Sequence, residues 1–255
     1  VYNEEGFEQL LNLTAVRALY SKDADIVSPL NQEESAFNSF LLSERSCKVV
    51  NDKLRRNDFG DEFVDSDAII FLAQKKISQI LGVCPSIDDL TLTFGPGAST
   101  SCTKITSARR KLSTIPSITM SSLSILSELR DALPLYAPSV GDVMDAKIDF
   151  VPKNLKTHRM ICIEPTVSGM VQRGIGSVIK KKLLGTGVDL RDQTINRRRA
   201  AQGSLTGDLC TIDLERASDS VATHLVLDLL PFDWFELLDS VLSKQVRYKD
   251  TTYLL

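Results

Sequence analysis

The stretch Asp208-Leu-Cys-Thr-Ile-Asp-Leu-Glu-Arg-Ala-Ser-Asp-Ser220 decides how this chain is read. Its apolar run, Leu209 to Ile212, is short and rich in β-formers, the pattern of a buried strand. Asp213 closes the run, and helical periodicity begins around Arg216, carried by Ala217, Val221, Leu225 and Leu227. One carboxylate is therefore expected at the C-terminal edge of a strand, and a second, Asp219, in the first turns of a helix. A charge at the end of an apolar strand is costly unless it is solvated, paired or bound to a metal. A helix cap or a turn would satisfy Asp213 as well as a metal would, so the segment alone leaves both open.

Immediately upstream the charge pattern changes. Lys147 to Arg199 holds twelve Lys or Arg against four Asp or Glu, while the chain as a whole is at −3. A basic block directly before a carboxylate-bearing strand suits an enzyme that handles polyanions with metal ions, though such blocks also occur as solvated helix faces. Ile148, Phe150 and Val151, then Pro152-Lys-Asn-Leu-Lys-Thr157, then Arg159 to Glu164 predict two strands joined by a basic tip. Lys153, Lys156 and Arg159 on one hairpin repel each other unless an anion is present, and a nucleoside triphosphate is such an anion. Glu164 is expected to pair with one of these cations. Residues 167–184 predict a helix ending in Lys180-Lys-Lys182, where cations favour the helix dipole. Residues 192–199 predict a capped helix on which Gln193, Asn196 and Arg197 share a face, a set suited to a nucleic-acid backbone or base, or to solvent. Phe94-Gly-Pro-Gly-Ala-Ser-Thr-Ser101 is a loop by composition; its amides and hydroxyls could grip a phosphate, and an ordinary turn accounts for it too.

The remaining sequence reads as framework. Helical periodicity marks 4–20, 34–55, 65–81 and 118–134, the third closed by Gly82 and the last by Pro134. His158 and His224 form no triad pattern with Ser218 or Ser220. The cysteines (47, 84, 102, 162 and 210) are odd in number and lack CxxC spacing, which predicts reduced thiols rather than a disulfide frame or a zinc site. No apolar run approaches the roughly 20 residues of a membrane span. The chain begins at Val1, and Val246 to Leu255 reads as a hairpin cut in mid-strand, so an internal fragment of a longer protein is expected.

Four blocks, in order, resemble the catalytic subunit of single-stranded RNA phage (levivirus) replicases, which are RNA-dependent RNA polymerases. They are Phe94 to Thr100, Val151 to Pro165, Asp189-Leu-Arg-Asp-Gln-Thr-Ile-Asn-Arg-Arg-Arg199, and Asp213 to Ser220. The resemblance implies an α+β fold, part of a right-hand polymerase: a helical N-terminal region over 1–90, fingers over 91–206 with the basic hairpin at 147–164, and the first part of an antiparallel palm sheet over 207–255. It implies nucleotidyl transfer from rNTPs to an RNA 3′ end on an RNA template, assisted by two Mg²⁺ ions about 4 Å apart. Asp213 is then a catalytic metal ligand, Lys153, Lys156 and Arg159 meet the triphosphate, and Asp219 senses the ribose 2′-hydroxyl. Gln193, Asn196 and Arg197 are carried over as RNA contacts.

Template and product RNA and rNTPs are the implied partners, with host translation elongation factors and a ribosomal protein, in the cytoplasm of an infected bacterium and without a membrane. The family's Tyr-Gly-Asp-Asp motif is missing: Gly-Asp occurs at 60–61, 141–142 and 207–208, and no second Asp follows any of them. The fragment is therefore expected to be inactive alone. The rival readings are a reverse transcriptase-like polymerase and a non-catalytic RNA-binding module.

Overall fold

A computed structural model of the chain describes residues 4–21, 30–58, 66–102, 107–134, 136, 140–192, 194–212 and 214–255. Three helices lead, α1 (Glu4–Tyr20), α2 (Gln32–Arg56) and α3 (Ser66–Leu81), where the apolar periodicity predicts them. Asn31 caps α2 by accepting the Glu34 amide at 3.1 Å, and Asn57 closes it in the left-handed region, φ 55°. Gly82 takes the same conformation after α3, at φ 55°, where a side chain would be strained.

A short helix α4 (Ala108–Leu112) and strand β1 (Ser117–Ile118) follow, then α5 (Leu126–Ala132) and strand β2 (Asp142–Val143), which pairs with β1 in parallel. The single helix expected over 118–134 is thus divided, with a 3₁₀ turn at Ser121–Ile125 before α5. The cause is local: Thr119 Oγ1 accepts the Ser122 amide and Ser124 Oγ donates to the Ser121 carbonyl, bonds that compete with regular helix.

The basic hairpin forms as expected, from β3 (Ala146–Pro152) and antiparallel β4 (His158–Ile163), with Val151 opposite Arg159 and Pro152 opposite His158. Four helices come next: α6 (Thr166–Leu184), α7 (Thr194–Thr206), α8 (Thr223–Leu229) and α9 (Phe232–Ser240). The chain closes on the expected hairpin, β5 (Gln245–Tyr248) and β6 (Thr251–Leu254). This hairpin joins the first through a parallel β3–β5 pairing, so the sheet order is β4-β3-β5-β6 and the sheet is mixed rather than antiparallel throughout. The fold is α+β, with more helix than strand.

The strand expected at Leu209–Ile212 is absent, and Leu209 and Ile212 are 43% and 81% exposed. A β-prone run becomes a strand only beside a partner that completes its hydrogen bonds, and none of the described strands pairs with it. The helix expected from Arg216 also starts later. Arg216 lies at φ 53°, Ser218–Ser220 is a 3₁₀ turn, and Val221 and Ala222 are extended before α8.

Two apolar clusters hold the fold. The larger surrounds the first half of α6, where Val167, Met170, Val171 and Ile175 meet Ile118, Leu129 and Trp234. The fully buried Trp234 donates its indole N–H to the Gly82 carbonyl at 2.9 Å, tying α9 to the end of α3. The smaller cluster joins α2 to the sheet: Phe37 and Phe40 pack over Ala146, Ile148, Phe150, Met160, Val246, Tyr248 and Tyr253. Phe37 centres this aromatic contact, 4.5 Å from the Tyr248 ring and 5.3 Å from that of Tyr253. No described helix is long and apolar enough to cross a membrane, and all five thiols are unbridged.

Candidate functional site

The tip between β3 and β4 is a tightly bonded turn. Asn154 Oδ1 accepts the amides of Lys156 and Thr157, both at 2.9 Å, and the Asn154 amide donates to the Thr157 carbonyl. Two further bonds come from the N-terminal helices: Gln32 Nε2 donates to the Asn154 carbonyl at 2.9 Å, and the Leu155 amide donates to the Ser21 carbonyl at 2.9 Å. Lys153, Lys156 and Arg159 are exposed, and none has an ion-pair partner among the described residues. Strand alternation puts Phe150 and Met160 against α2 and Val151 and Arg159 on the opposite, open face. Beside this tip, His158 Nδ1 is buried with no hydrogen-bond partner.

Glu164 does not pair with a hairpin cation. It lies past the far end of β4, and the strand register separates the Lys147–Ile163 pair from the Pro152–His158 pair by about 17 Å. Its carboxylate instead accepts the Ser243 hydroxyl, and Gln172 and Cys162 hydrogen-bond it as well. Burial pushes its pKa up, and these bonds partly offset the shift.

Carbonyls and hydroxyls of the Phe94–Ser101 loop turn inward, while Pro96 and Gly97 stay exposed. Buried Lys111, 3% exposed, donates to the Gly95 carbonyl at 2.7 Å and the Gly97 carbonyl at 2.6 Å. Burial lowers its pKa. Ser99 Oγ accepts from Thr166 Oγ1 at 2.7 Å, and Thr100 and Ser101 hydroxyls both bond Ser117 Oγ, at 2.7 and 2.6 Å. The amides of Ser99 and Thr100 are taken by the Cys102 and Glu164 carbonyls. The hydroxyls that could grip a phosphate are therefore spent on the fold, and the loop is a brace for the start of α6.

In the basic segment around α7, Asp189 receives Arg191 through two bonds of 2.9 and 2.8 Å, and this pairing holds its carboxyl at about 2. Asp192 accepts the Thr194 amide and hydroxyl at the helix start and pairs with Arg198 at 3.2 Å. Asn196 and Arg197 are exposed on a helix with no buried residue, and Arg197 has no ion-pair partner among the described residues. Gln193 and Asp213 lie outside the described residues.

Asp219 sits in the 3₁₀ turn at Ser218–Ser220 rather than on a helix. Ser218 Oγ donates to its Oδ1 at 3.0 Å, and Cys47 Sγ of α2 donates to its carbonyl at 3.3 Å. The neighbouring Glu44 is shifted up in pKa, first by burial and then by the Asp219 charge. Four residues past Cys47 on α2, Asn51 Oδ1 accepts the His224 amide at 2.9 Å. The structure thus gathers Lys153, Lys156 and Arg159 at one hairpin and leaves Asn196 and Arg197 on a separate helix. Asp219 makes no bond to the hairpin cations; α2 touches both.

The description of the family that matches residues 18–252 is RNA replicase, beta-chain. The chain belongs to the RNA replicase beta-chain family. It is similar to the RNA-directed RNA polymerase subunit beta of Escherichia virus Qbeta, 35% identical over 238 residues, covering 91% of this chain and 40% of that protein. The corresponding subunit of Enterobacteria phage SP is 32% identical over 229 residues, 85% of this chain and 39% of that protein. The RNA-directed RNA polymerase beta chain of Escherichia phage MS2 is 46% identical over a shorter 93 residues, 36% of this chain and 17% of that protein. This replicase-family chain therefore spans about 40% of the length of the curated relatives it matches along most of its length.

Among its described residues no three of His, Cys, Asp and Glu come together as a metal cage; Asp213 lies outside them. The α2 residues Gln32, Glu44, Cys47 and Asn51 had no place among the candidate residues. Glu44, Cys47 and Asn51 recur at i, i+3 and i+7, a polar stripe on one helix face, and that spacing is the signal the sequence carries for them.

Proposed function

We propose that this chain supplies the fingers and the first palm element of an RNA-dependent RNA polymerase that copies a phage RNA genome. The observation that carries the reading is the basic hairpin: three cations without an ion-pair partner among the described residues, on a hairpin whose turn is held by five hydrogen bonds, in a chain of the RNA replicase family. Like charges held together in a rigid turn lower the cost of ordering when a polyanion arrives. Lys153, Lys156 and Arg159 take the triphosphate of an incoming rNTP. The RNA 3′-oxygen attacks the α-phosphorus, a new P–O bond forms, and the bond to the bridging oxygen breaks. Pyrophosphate leaves with that electron pair, and the hydroxyl proton passes to solvent. The cations offset the charge that grows on pyrophosphate. Asp213 would be one holder of Mg²⁺, which supplies further charge neutralisation and a more acidic 3′-hydroxyl.

Asp219 accepts a hydrogen bond from the ribose 2′-hydroxyl, an interaction a deoxynucleotide leaves unmade. Gln193, Asn196 and Arg197 contact template RNA, which fits the exposure of Asn196 and Arg197 on α7. Template and product RNA and rNTPs are the partners, with host elongation factors and a ribosomal protein as further ones.

The test uses a replicase-length polypeptide carrying this chain and measures RNA-primed elongation. Lys156→Ala and Arg159→Ala are each expected to raise KM for the nucleotide about tenfold or more, the equivalent of one charge-assisted hydrogen bond. Asp213→Asn is expected to abolish elongation. Elongation near wild-type level in Asp213→Asn removes the catalytic assignment, and a preference for dNTPs over rNTPs moves the protein to the reverse transcriptases. A non-catalytic RNA-binding module instead predicts RNA affinity that falls steeply with salt and is insensitive to these nucleotide-site changes.

A further inference from the structure

We infer that Gln32 is a positioning residue for the triphosphate-binding turn, an inference that rests on the reading of the basic hairpin given above. The argument starts from what a turn bearing Lys153 and Lys156 needs. The ammonium groups of Lys153 and Lys156, either side of Asn154 and Leu155, push the turn open. A relay of hydrogen bonds holds it. Gln32 Nε2 reaches the Asn154 carbonyl at 2.9 Å, and the Asn154 side chain gathers the amides of Lys156 and Thr157. Holding the Asn154 peptide plane fixes the direction in which that side chain leaves, and so fixes the backbone that carries Lys156.

Gln32 is well suited to this because it is the first residue of α2. Its helix is anchored on the sheet a turn and a half later, by Phe37 and Phe40 packed on Phe150, Met160 and Tyr248. The same helix then reaches Asp219 through Cys47 and the His224 amide through Asn51. At about 1.5 Å per residue, Gln32 and Cys47 stand about 22 Å apart along one rigid rod. Gln32 is the point at which this helix is attached to the turn that carries Lys153 and Lys156. A contact spanning 122 residues of sequence, from a helix terminus to a loop carbonyl, is the kind that sets a loop's position without touching the ligand.

The experiment compares Gln32→Met, which keeps volume and loses the donor, with Gln32→Glu, which sets an acceptor against the Asn154 carbonyl. Both are made in a replicase-length polypeptide carrying this chain, with Lys156→Ala alongside. Steady-state elongation with rNTPs is read as KM and kcat separately. Gln32→Met is expected to raise nucleotide KM about fivefold, the factor that one lost hydrogen bond corresponds to, with kcat within twofold of the parent. Gln32→Glu is expected to raise KM at least as much, and Gln74→Met, which removes the bond from Gln74 Nε2 of α3 to the Asp228 carbonyl of α8, to leave it unchanged. If Lys156→Ala raises KM and Gln32→Met does not, the positioning role is refuted while the hairpin reading stands. A fall in kcat at constant KM, tracking loss of folded protein, also refutes it by making Gln32 merely structural. An unchanged KM in Lys156→Ala removes the hairpin reading, and this inference with it.

Discussion

Replacing Lys111 by Met removes an ammonium that is 3% exposed and donates to the carbonyls of Gly95 and Gly97 at 2.7 and 2.6 Å. Hydrogen bonds from a charged donor are worth about 1.5–3 kcal/mol each, so the gross loss is about 3–6 kcal/mol. Relief of the ammonium's desolvation returns part of that, as the lowered pKa of Lys111 indicates. The two carbonyls are left facing a methionine, so a net loss of about 2–3 kcal/mol is expected. For a chain of this size that corresponds to a fall in Tm of roughly 5–10 °C. Urea denaturation followed by tryptophan fluorescence reads it, because Trp234 lies in the apolar cluster against which Phe94 of the Gly95–Gly97 loop packs.

A second signature follows from the sign of the shift. With its folded pKa below the ordinary 10.5, the folded state sheds the Lys111 proton first, so the parent gains stability as pH climbs from the folded pKa toward 10.5. The Met variant lacks that gain, and the gap between the two proteins widens in that window. A loss under 0.5 kcal/mol at neutral pH, or a gap that is flat in alkali, would refute the role of Lys111 in holding the Gly95 and Gly97 carbonyls.

Two glycines of α6 should respond in opposite directions. A Cβ on Gly174 would meet Leu90 Cβ at 3.1 Å and Leu92 Cδ2 at 3.3 Å, so Gly174→Ala is expected to cost about 1–2 kcal/mol; Gly176 has open space, and Gly176→Ala should stabilise by up to about 1 kcal/mol in the same denaturation assay. Trp234→Phe leaves the Gly82 carbonyl without its donor and a gap in the core, and should lower stability by about 2 kcal/mol by calorimetry. Glu164, whose folded pKa is raised above 4.5, contributes stability that is complete below 4.5 and lost as pH rises through its folded pKa. Glu164→Gln is therefore expected to gain on the parent as pH rises from 4.5 through the folded pKa in parallel melts; a gap that moves the other way would mean a carboxylate paired with a cation after all.

Much of the secondary structure was legible because it rests on short-range chemistry. Helices at 4–20, 34–55, 65–81 and 167–184 carry their apolar residues at helical spacing, and Asn31, Asn57 and Gly82 supply the ends. The two hairpins were legible from alternation around turn residues, and the cationic tip from Lys153, Lys156 and Arg159 themselves. The division of 118–134 was missed because hydroxyls at 119, 122 and 124 bond locally in ways apolar periodicity does not register. The exposed conformation of Leu209–Ile212 was missed for a different reason. β-propensity says what a segment suits, while a strand exists only when a neighbour lies alongside it.

By itself, the sequence determined the element pattern, the basic hairpin and membership in a replicase family, since these follow from residue types and their spacing along the chain. Tertiary structure alone decided that Glu164 binds Ser243 rather than a hairpin cation and that Lys111 takes the Gly95 and Gly97 carbonyls of the Gly-Pro-Gly loop. It alone decided that α2 touches both Asn154 and Asp219, contacts 122 and 172 residues apart along the chain. The physical reason is one of range. A cap or an amphipathic stripe is satisfied within a few residues, whereas the partner of a buried charge or a helix-end amide is whichever group the packing of α2 and α6 brings within about 3 Å.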